Sequence, residues 1–284
     1  MYQGWLVYDR AGAEYNKQYI QMHREEGEKL GIAIQLIFAE DITFGVKAGK
    51  TVVHYLGQQT EKPDFVICRT IYPFLSVMLE QAGYRVFNSA KVAEIANDKA
   101  KTYAYLADKE IPMVDSWFVK NTQLKDVLHT LEEGWVIKAV DGHGGQQVFQ
   151  MKAGREKEIM DKISHSDVVI QPFVKGAGKD VRVYVLGEEI LACVCRTATS
   201  GFKSNFSLGG SVELYELSGK ERQLVEKIIS QFSFGLVGID FLIDENGEFL
   251  FNEIEDVVGA RMLYQLTDIN LVGKYLEFII ERIG

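Results

Sequence analysis

The 284-residue chain is 47% hydrophobic and 25% charged, enough apolar material for a sizeable core shared by two or three lobes. Four prolines and this charge content exclude disordered and fibrous classes, and a net charge of -9 excludes a nucleic-acid surface, which needs clustered Lys and Arg. No apolar run reaches the ~18 residues of a membrane span, and residues 1–10 read as a first strand, not a signal peptide.

In chain order, residues 6–8 read as a strand, and residues 15–30 are helix-compatible with Gly31 where a C-cap belongs. Residues 32–38 and 65–68 read as strands, residues 74–81 as a helix, and Val86-Phe87 as a further strand after Gly83. This alternation predicts a small parallel α/β lobe. Asn97-Asp98-Lys99 opens a helix through Lys109, with Asn97 as its N-cap. Strand pairs then dominate: residues 135–138, 168–171, 181–186, 190–195, and a hairpin of 237–243 with 248–255. Helical runs cover 124–131, 220–232 and 271–280. The change of pattern predicts an N-terminal lobe over 1–95 and a second unit over 96–284. Cys193 and Cys195 share a strand face and Cys68 ends an apolar run, so three buried thiols in a reducing cytoplasm are expected.

The hairpin carries the strongest chemical signal. Asn246-Gly247 as a two-residue turn sets Glu245 against Glu248 and Asp240 against Glu253. Alternation then places Asp240, Leu242, Phe251, Glu253 and Glu255 on one face. Three carboxylates there repel one another, and a hard divalent cation bound through oxygen would reverse that.

Other residues offer cationic or phosphate chemistry. Lys138 ends a strand before Asp141-Gly142-His143-Gly144-Gly145, where backbone N–H groups could meet phosphate, although a plain hairpin turn explains the glycines equally. Lys99 opposes the helix dipole in a first turn and fits a nearby anion or a surface site. His143 is expected to face solvent or lie beside substrate. A Gly187-Glu188 turn places Arg182 and Arg196 on opposite faces. Asp180 follows a glycine-containing turn. Lys203-Ser204-Asn205 sits in a polar loop that can wrap phosphates or be mobile, and Arg261 could meet an anionic substrate.

In this order the motifs resemble the ATP-grasp superfamily, most closely its RimK-like carboxylate–amine ligases, over about residues 88–284. The likeness runs through Asn97-Asp98-Lys99, Val136-Ile137-Lys138, the glycine loop, Gln171-Pro172-Phe173-Val174, Asp180-Val181-Arg182 and Arg196. It continues through Lys203-Ser204-Asn205, Gly209-Gly210, Gly238-Ile239-Asp240 and Asn252-Glu253-Ile254-Glu255. The resemblance implies an ATP-grasp fold, two subdomains clamping ATP, preceded by the small α/β lobe. It implies that Lys99, Lys138, Gly144 and Gly145 serve the nucleotide, that Gln171, Pro172, Phe173 and Val174 bind adenine, and that Asp180 approaches the ribose. Lys203, Ser204 and Asn205 would line ATP, and Arg196 with Lys138 would act on the transferred phosphoryl group. Asp240, Glu253 and Glu255 would hold two Mg²⁺ ions, with Mn²⁺ an alternative, while Arg69 and Arg261 would approach substrate.

Three departures stand out: Glu255 where Asn is usual, Pro172 where a hinge Glu is common, and Leu208 where a basic residue is common. The implied reaction is ATP-dependent amide formation through an acyl phosphate, between a carboxylate and an amine carried by a metabolite, amino acid or peptide. The rival reading is a nucleotide-binding regulatory protein without turnover. A homo-oligomer is left open.

Overall fold

The computed structural model describes residues 1–145, 147–163, 165–176, 178–197 and 211–284. Lys203, Ser204, Asn205, Leu208 and Gly209-Gly210 lie outside the described residues. The chain starts with β1 (Tyr2–Tyr8), α1 (Arg10–Tyr15), α2 (Lys17–Lys29) and β2 (Ile32–Phe38). Asp9 caps α1 by accepting from Gly12 N, and Gly31 turns the chain after α2 at φ +71°. A small antiparallel sheet follows, β3 (Ile42–Lys47), β4 (Lys50–Tyr55) and β5 (Gln58–Gln59), which the sequence reading passed over. Next come β6 (Phe65–Cys68), α3 (Pro73–Gln81), β7 (Val86–Phe87) and α4 (Ala90–Ala96). The strands β2-β1-β6-β7 form one parallel sheet. Leu6 and Tyr8 pack on the α2 side and Trp5 and Val7 on the α3 side, so the middle strands are covered on both faces.

The helix predicted from Asn97 is α5 (Lys99–Leu106), and its N-cap is Asp98, which accepts from Lys101 N at 3.0 Å. Asn97 instead ends α4, and its side chain is used elsewhere. Then come β8 (Trp117–Val119), α6 (Asn121–Leu128), β9 (Val136–Ala139), β10 (Val148–Gln150), α7 (Glu156–Ile163) and β11 (Val168–Gln171). The strands pair antiparallel as β10-β9-β11-β8, and α6 and α7 bury Leu124, Leu128, Ile159 and Ile163 against Ile137 and Ile170.

The last unit holds β12 (Lys179–Leu186), β13 (Glu189–Thr197), β14 (Ser211–Leu214), α8 (Gly219–Ile229), β15 (Leu236–Ile243), β16 (Phe249–Glu255), α9 (Arg261–Leu266) and α10 (Leu271–Ile283). Its five-stranded antiparallel sheet runs β14-β13-β12-β15-β16. One face packs Val181, Val183 and Phe241 on α5 and α8; the other packs Tyr184 and Leu236 on α10 and on Leu6 and Phe65 of the first sheet. The three cysteines are free and buried. Among the described residues no helix is long and apolar enough to cross a membrane.

Candidate active site

Asp240 does stand opposite Glu253, but the route differs from simple alternation. Near the turn Ile243 pairs with Phe249 and Phe241 with Phe251, so the loop is Glu245-Asn246-Gly247, three residues and not two. The Asp244 side chain sets that width: its Oδ1 accepts from Asn246 N at 2.9 Å and Glu248 N at 2.8 Å. An odd loop alone would turn Glu253 and Glu255 onto the core face. A bulge at Asn252 restores them, pairing Asp240 with Glu253 and Gly238 with Glu255. Phe251 is thereby corrected to the core face, where its ring centroid lies 6.3 Å from Phe241 and 5.7 Å from Tyr103. One oxygen from each of Asp240, Glu253 and Glu255 then lies within 4.8 Å of the others.

A second bulge corrects the arginines. Leu186 and Glu189 do close on Gly187-Glu188, but the register shifts past Val185, leaving Leu191 as the extra residue. Arg182 and Arg196 therefore share a face instead of opposing one another. Arg182 grips Asp240 with both ends of its fork, Nε to Oδ1 at 2.8 Å and Nη2 to Oδ2 at 2.7 Å, and reaches Glu255 Oε1 at 2.6 Å. Arg196 Nη2 donates to Asp240 Oδ2 at 2.6 Å, and its Nε donates to Asp180. Such paired, charge-assisted contacts hold planar groups in fixed orientation.

The lysines arrive from other elements. Lys99, first residue of α5, donates to Gly142 O at 2.5 Å and lies 3.3 Å from Glu253 Oε2. Lys138 of β9 donates to Asn252 Oδ1 at 2.9 Å, so the bulge residue also receives a lysine from the facing sheet. Gly144 and Gly145 adopt positive φ in the loop after β9, as an L side chain rarely would, and His143 is exposed. Gln171 ends β11 with its side chain buried and donating to Ser116 Oγ at 2.8 Å; Pro172, Phe173 and Val174 carry the chain on toward β12.

Burial alone would raise every acid here, and the cations decide the outcome. Burial pushes the Asp240 carboxyl up, but Arg182 and Arg196 pull it down to about 2. Glu253 is also held low: burial opposes, and Lys99 leads the attraction. Glu255 ends up high, because burial outweighs its single guanidinium partner. Burial lowers the Lys138 ammonium to about 8 despite Glu253. Formally, Asp180, Asp240, Glu253 and Glu255 balance Lys99, Lys138, Arg182 and Arg196. The donor set is all carboxylate oxygen, and among the described residues Asp240 Oδ1 accepts from one guanidinium and Glu253 meets Lys99 at 3.3 Å, so the residues fit a hard divalent cation.

Two sequence-predicted residues stay apart from this cluster. Arg261 lies over the Tyr15 ring, 4.6 Å from its centroid, and donates to the Tyr15 hydroxyl. Arg69 is buried beside the first sheet and donates to Val258 O at 3.0 Å. Sequence reasoning missed a clamp behind the carboxylates. Buried Asp256 accepts from Asn88 Nδ2 at 2.6 Å and from Asn97 Nδ2 at 3.0 Å. Asn88 also donates to Leu236 O at 2.9 Å and accepts from Gly235 N at 2.6 Å. The one available signal was Asn97 beside Lys99; no local pattern marks Asn88 or Asp256.

Carboxylates, arginine forks and lysines thus converge between two antiparallel sheets, a set of charges that suits metal and phosphate. Residues 96–279 match the RimK-like ATP-grasp domain, and the chain belongs to that family, as an ATP-dependent carboxylate–amine ligase using ATP and a divalent metal. It is similar to the uncharacterized protein MG011 homolog of Mycoplasma pneumoniae, 26% identical over 268 residues, covering 94% of this chain and 88% of that one. It is 29% identical over 220 residues to the glutamate–LysW ligase ArgX of Sulfurisphaera tokodaii, covering 74% of this chain and 77% of that one. Its fold matches the ATP-grasp ligase PsnB complexed with a phosphomimetic variant of its minimal precursor, Mg and ADP. That match has a TM-score of 0.70 at 16% identity, covering 99% of this chain and 98% of that one.

Proposed function

We propose that the ligase joins the amine of an amino acid, glutamate first among candidates, to the carboxylate of a small molecule or peptide. The similarity to a glutamate–LysW ligase and the fold shared with a precursor-bound ligase support this substrate range. The observation that carries the reading is the convergence of Arg196, Lys138, Lys99 and three carboxylates in one cluster.

The carboxylate oxygen of one substrate attacks the γ-phosphorus of ATP and ADP leaves. The amine then attacks the acyl carbon, phosphate leaves, and the amine nitrogen sheds a proton. Phosphorylation turns a poor leaving group into a good one, and the protein supplies positioning and charge. Lys99, Lys138 and the Gly144-Gly145 loop hold phosphate oxygens, and backbone groups from Gln171 to Val174 meet adenine. Arg196 stabilises the moving phosphoryl group. Asp180, bonded to Arg196, orients that guanidinium in addition to any contact with ribose. Lys203, Ser204 and Asn205 complete the nucleotide contacts. Asp240, Glu253 and Glu255 would hold two Mg²⁺ ions, or Mn²⁺, which when bound would supply charge neutralisation to the phosphates.

Residues 1–95 serve as the lobe that presents Arg69 to substrate, and 96–284 as the clamp on ATP. The buried free thiols support a reducing, cytoplasmic setting. Measuring ADP release across pairs of carboxylates and amines, glutamate included, tests the assignment. ADP release that requires both partners is the expected result. Nucleotide binding with no substrate-dependent release would favour the regulatory reading.

A further inference from the structure

Away from the carboxylate cluster, the first sheet ends in an edge strand without the usual protection. Exposed strand edges invite pairing with another chain, and proteins blunt them with short strands, proline, lysine, bulges or a covering segment. Two other edges follow that rule. β7 is two residues long, and β16 is covered where Phe251 N donates to Pro112 O at 2.8 Å and Met113 bridges to Phe251. β2 has neither device. Its seven residues, Ile32-Ala33-Ile34-Gln35-Leu36-Ile37-Phe38, contain no proline and no charge. They pair with β1 in unbroken register and, among the described residues, with no second strand. Ile34, Leu36 and Phe38 are only partly buried against α2. A groove lies beside them, about 670 Å³ next to Leu36 and Phe38 and about 300 Å³ next to Ile32 and Ile34.

The edge is complementary to a second copy of itself. Antiparallel pairing about Gln35 sets Ile34 against Leu36 and Ile32 against Phe38, each pair formed twice across a two-fold axis. Such an axis, perpendicular to the sheet, keeps α2 of both copies on one face. Lys17, Gln21, Arg24 and Glu28 are exposed on α2 at helical spacing, and all four line the groove. Run antiparallel to its copy, this stripe sets Lys17 against Glu28 and Gln21 against Arg24. Opposite charges then meet at both ends.

The two centres of symmetry coincide. A Cβ on Gly27 would meet Ile32 O at 2.9 Å and Ile34 Cγ1 at 3.0 Å, so Gly27 lies level with Ala33. The chain reverses at Gly31 between α2 and β2, so moving back along the helix moves forward along the strand. The midpoint between Gln21 and Arg24 lies roughly 4.5 residues before Gly27, about 7 Å at 1.5 Å per residue. Two residues of strand, from Ala33 to Gln35, also span about 7 Å. The helix stripe is therefore centred over Gln35, and one axis satisfies strand and helix together.

We infer that β2 and α2 form a dimerisation surface, on which two copies join their four-stranded sheets into one across a two-fold axis at Gln35. Dimerisation here is independent of the reaction and is read by mass, not turnover. Sedimentation equilibrium of the full chain at micromolar concentration should give a dimer. Lys17→Glu and Glu28→Lys each turn an attractive pair into a repulsive one, twice per dimer. Each should raise the dissociation constant about tenfold, and the double exchange should restore it. Both residues are exposed, so melting should stay close to that of the unaltered chain. Gln35 is exposed as well, and the three cysteines are buried. Gln35→Cys should cross-link under mild oxidation, because residues facing each other across antiparallel strands have Cα atoms about 4.5–5.5 Å apart, within disulfide range. Ala33→Cys, about 13 Å along the seam from its copy, should not. A monomer at these concentrations, or a dimer indifferent to both charge reversals, would overturn the proposal. So would a dimer that Gln35→Cys fails to cross-link, or that Ala33→Cys cross-links equally well.

Discussion

At the scale of single residues, Glu255 is the most informative position. It carries one more formal charge than the usual asparagine, its burial keeps its carboxyl high, and Arg182 is its close partner. Glu255→Asn keeps an oxygen ligand, so catalysis should persist while the Mg²⁺ concentration for half-maximal rate rises on the order of fivefold. Metal titration of both proteins checks this; superimposable curves would mean that Glu255 never meets the ion. His23 gives a pH prediction. Its folded pKa of about 4 lies below the ~6.5 of an unfolded histidine, so the unfolded chain binds the extra proton between these values. Stability should therefore fall as pH drops from about 6.5 toward 4, by up to roughly 3 kcal/mol. Urea midpoints across this range should be flatter in His23→Gln, and parallel profiles would exclude the effect. The residue types needed for chemistry were legible from charge alternation and motif order. Their partners were not: the Arg196 contact to Asp240 depends on the β12–β13 bulge, which no local propensity announces.

At the scale of elements, the β15–β16 hairpin shows how a correct pairing can rest on two departures from the expected path. The odd loop and the Asn252 bulge each move the register by one, and the two cancel at Glu253. The loop width comes from Asp244 hydrogen bonding. The bulge is steadied by Lys138, more than a hundred residues away in the chain, so its cause is tertiary. Long periodic segments such as α2, α8 and α10 were legible because an amphipathic stripe is local. Short elements such as α4 and β8 were not, and Asn97 was misplaced as an N-cap because Asp98 beside it competes for the same role. Behind the hairpin, Asp256 links Asn88 and the end of α4 to the carboxylate-bearing strand β16. Asp256→Ala would leave two buried amides without that acceptor, at about 1–3 kcal/mol each. Stability should drop by that order, and the Mg²⁺ requirement should rise as β16 loses its anchor. Unfolding midpoints together with metal titration measure both; a variant unchanged in both would show the clamp to be idle.

At the scale of the whole molecule, the division read near residue 95 follows a change of pattern, but the hydrophobic core does not respect it. Leu6, Tyr8 and Phe65 of the first sheet share one cluster with Tyr184, Leu236, Tyr275 and Leu276. A fragment of residues 1–95 would expose that face to water, at about 25 cal/mol per Å² of apolar area. It should therefore fail to unfold cooperatively on its own, whereas the full chain should lose both parts in one transition. A soluble 1–95 fragment with its own sharp melting transition would contradict this. Sequence patterns reveal which face of a strand is apolar, but not which distant segment covers it, and so the shared core was not readable in advance.

If the acids hold metal and the cations hold phosphate as proposed, the balanced set of charges around Asp240 ties two ligands together. A divalent cation arriving alone must compete with a guanidinium for the same oxygens, and a polyphosphate arriving alone must compete with carboxylates for the same N–H donors. Arriving together, they permit an exchange of partners: the arginines and lysines turn toward phosphate, the acids toward metal, and no charge is stranded in the interior. Each ligand should then raise the affinity for the other by an identical factor, as reciprocity between sites demands, on the order of tenfold or more. Mn²⁺ affinity measured by electron paramagnetic resonance with and without a non-hydrolysable ATP analogue reads that factor directly. A ratio of one would show that the two ligands bind independently. A ratio well above one would make the ligase a detector of the metal–nucleotide pair, silent to either member alone.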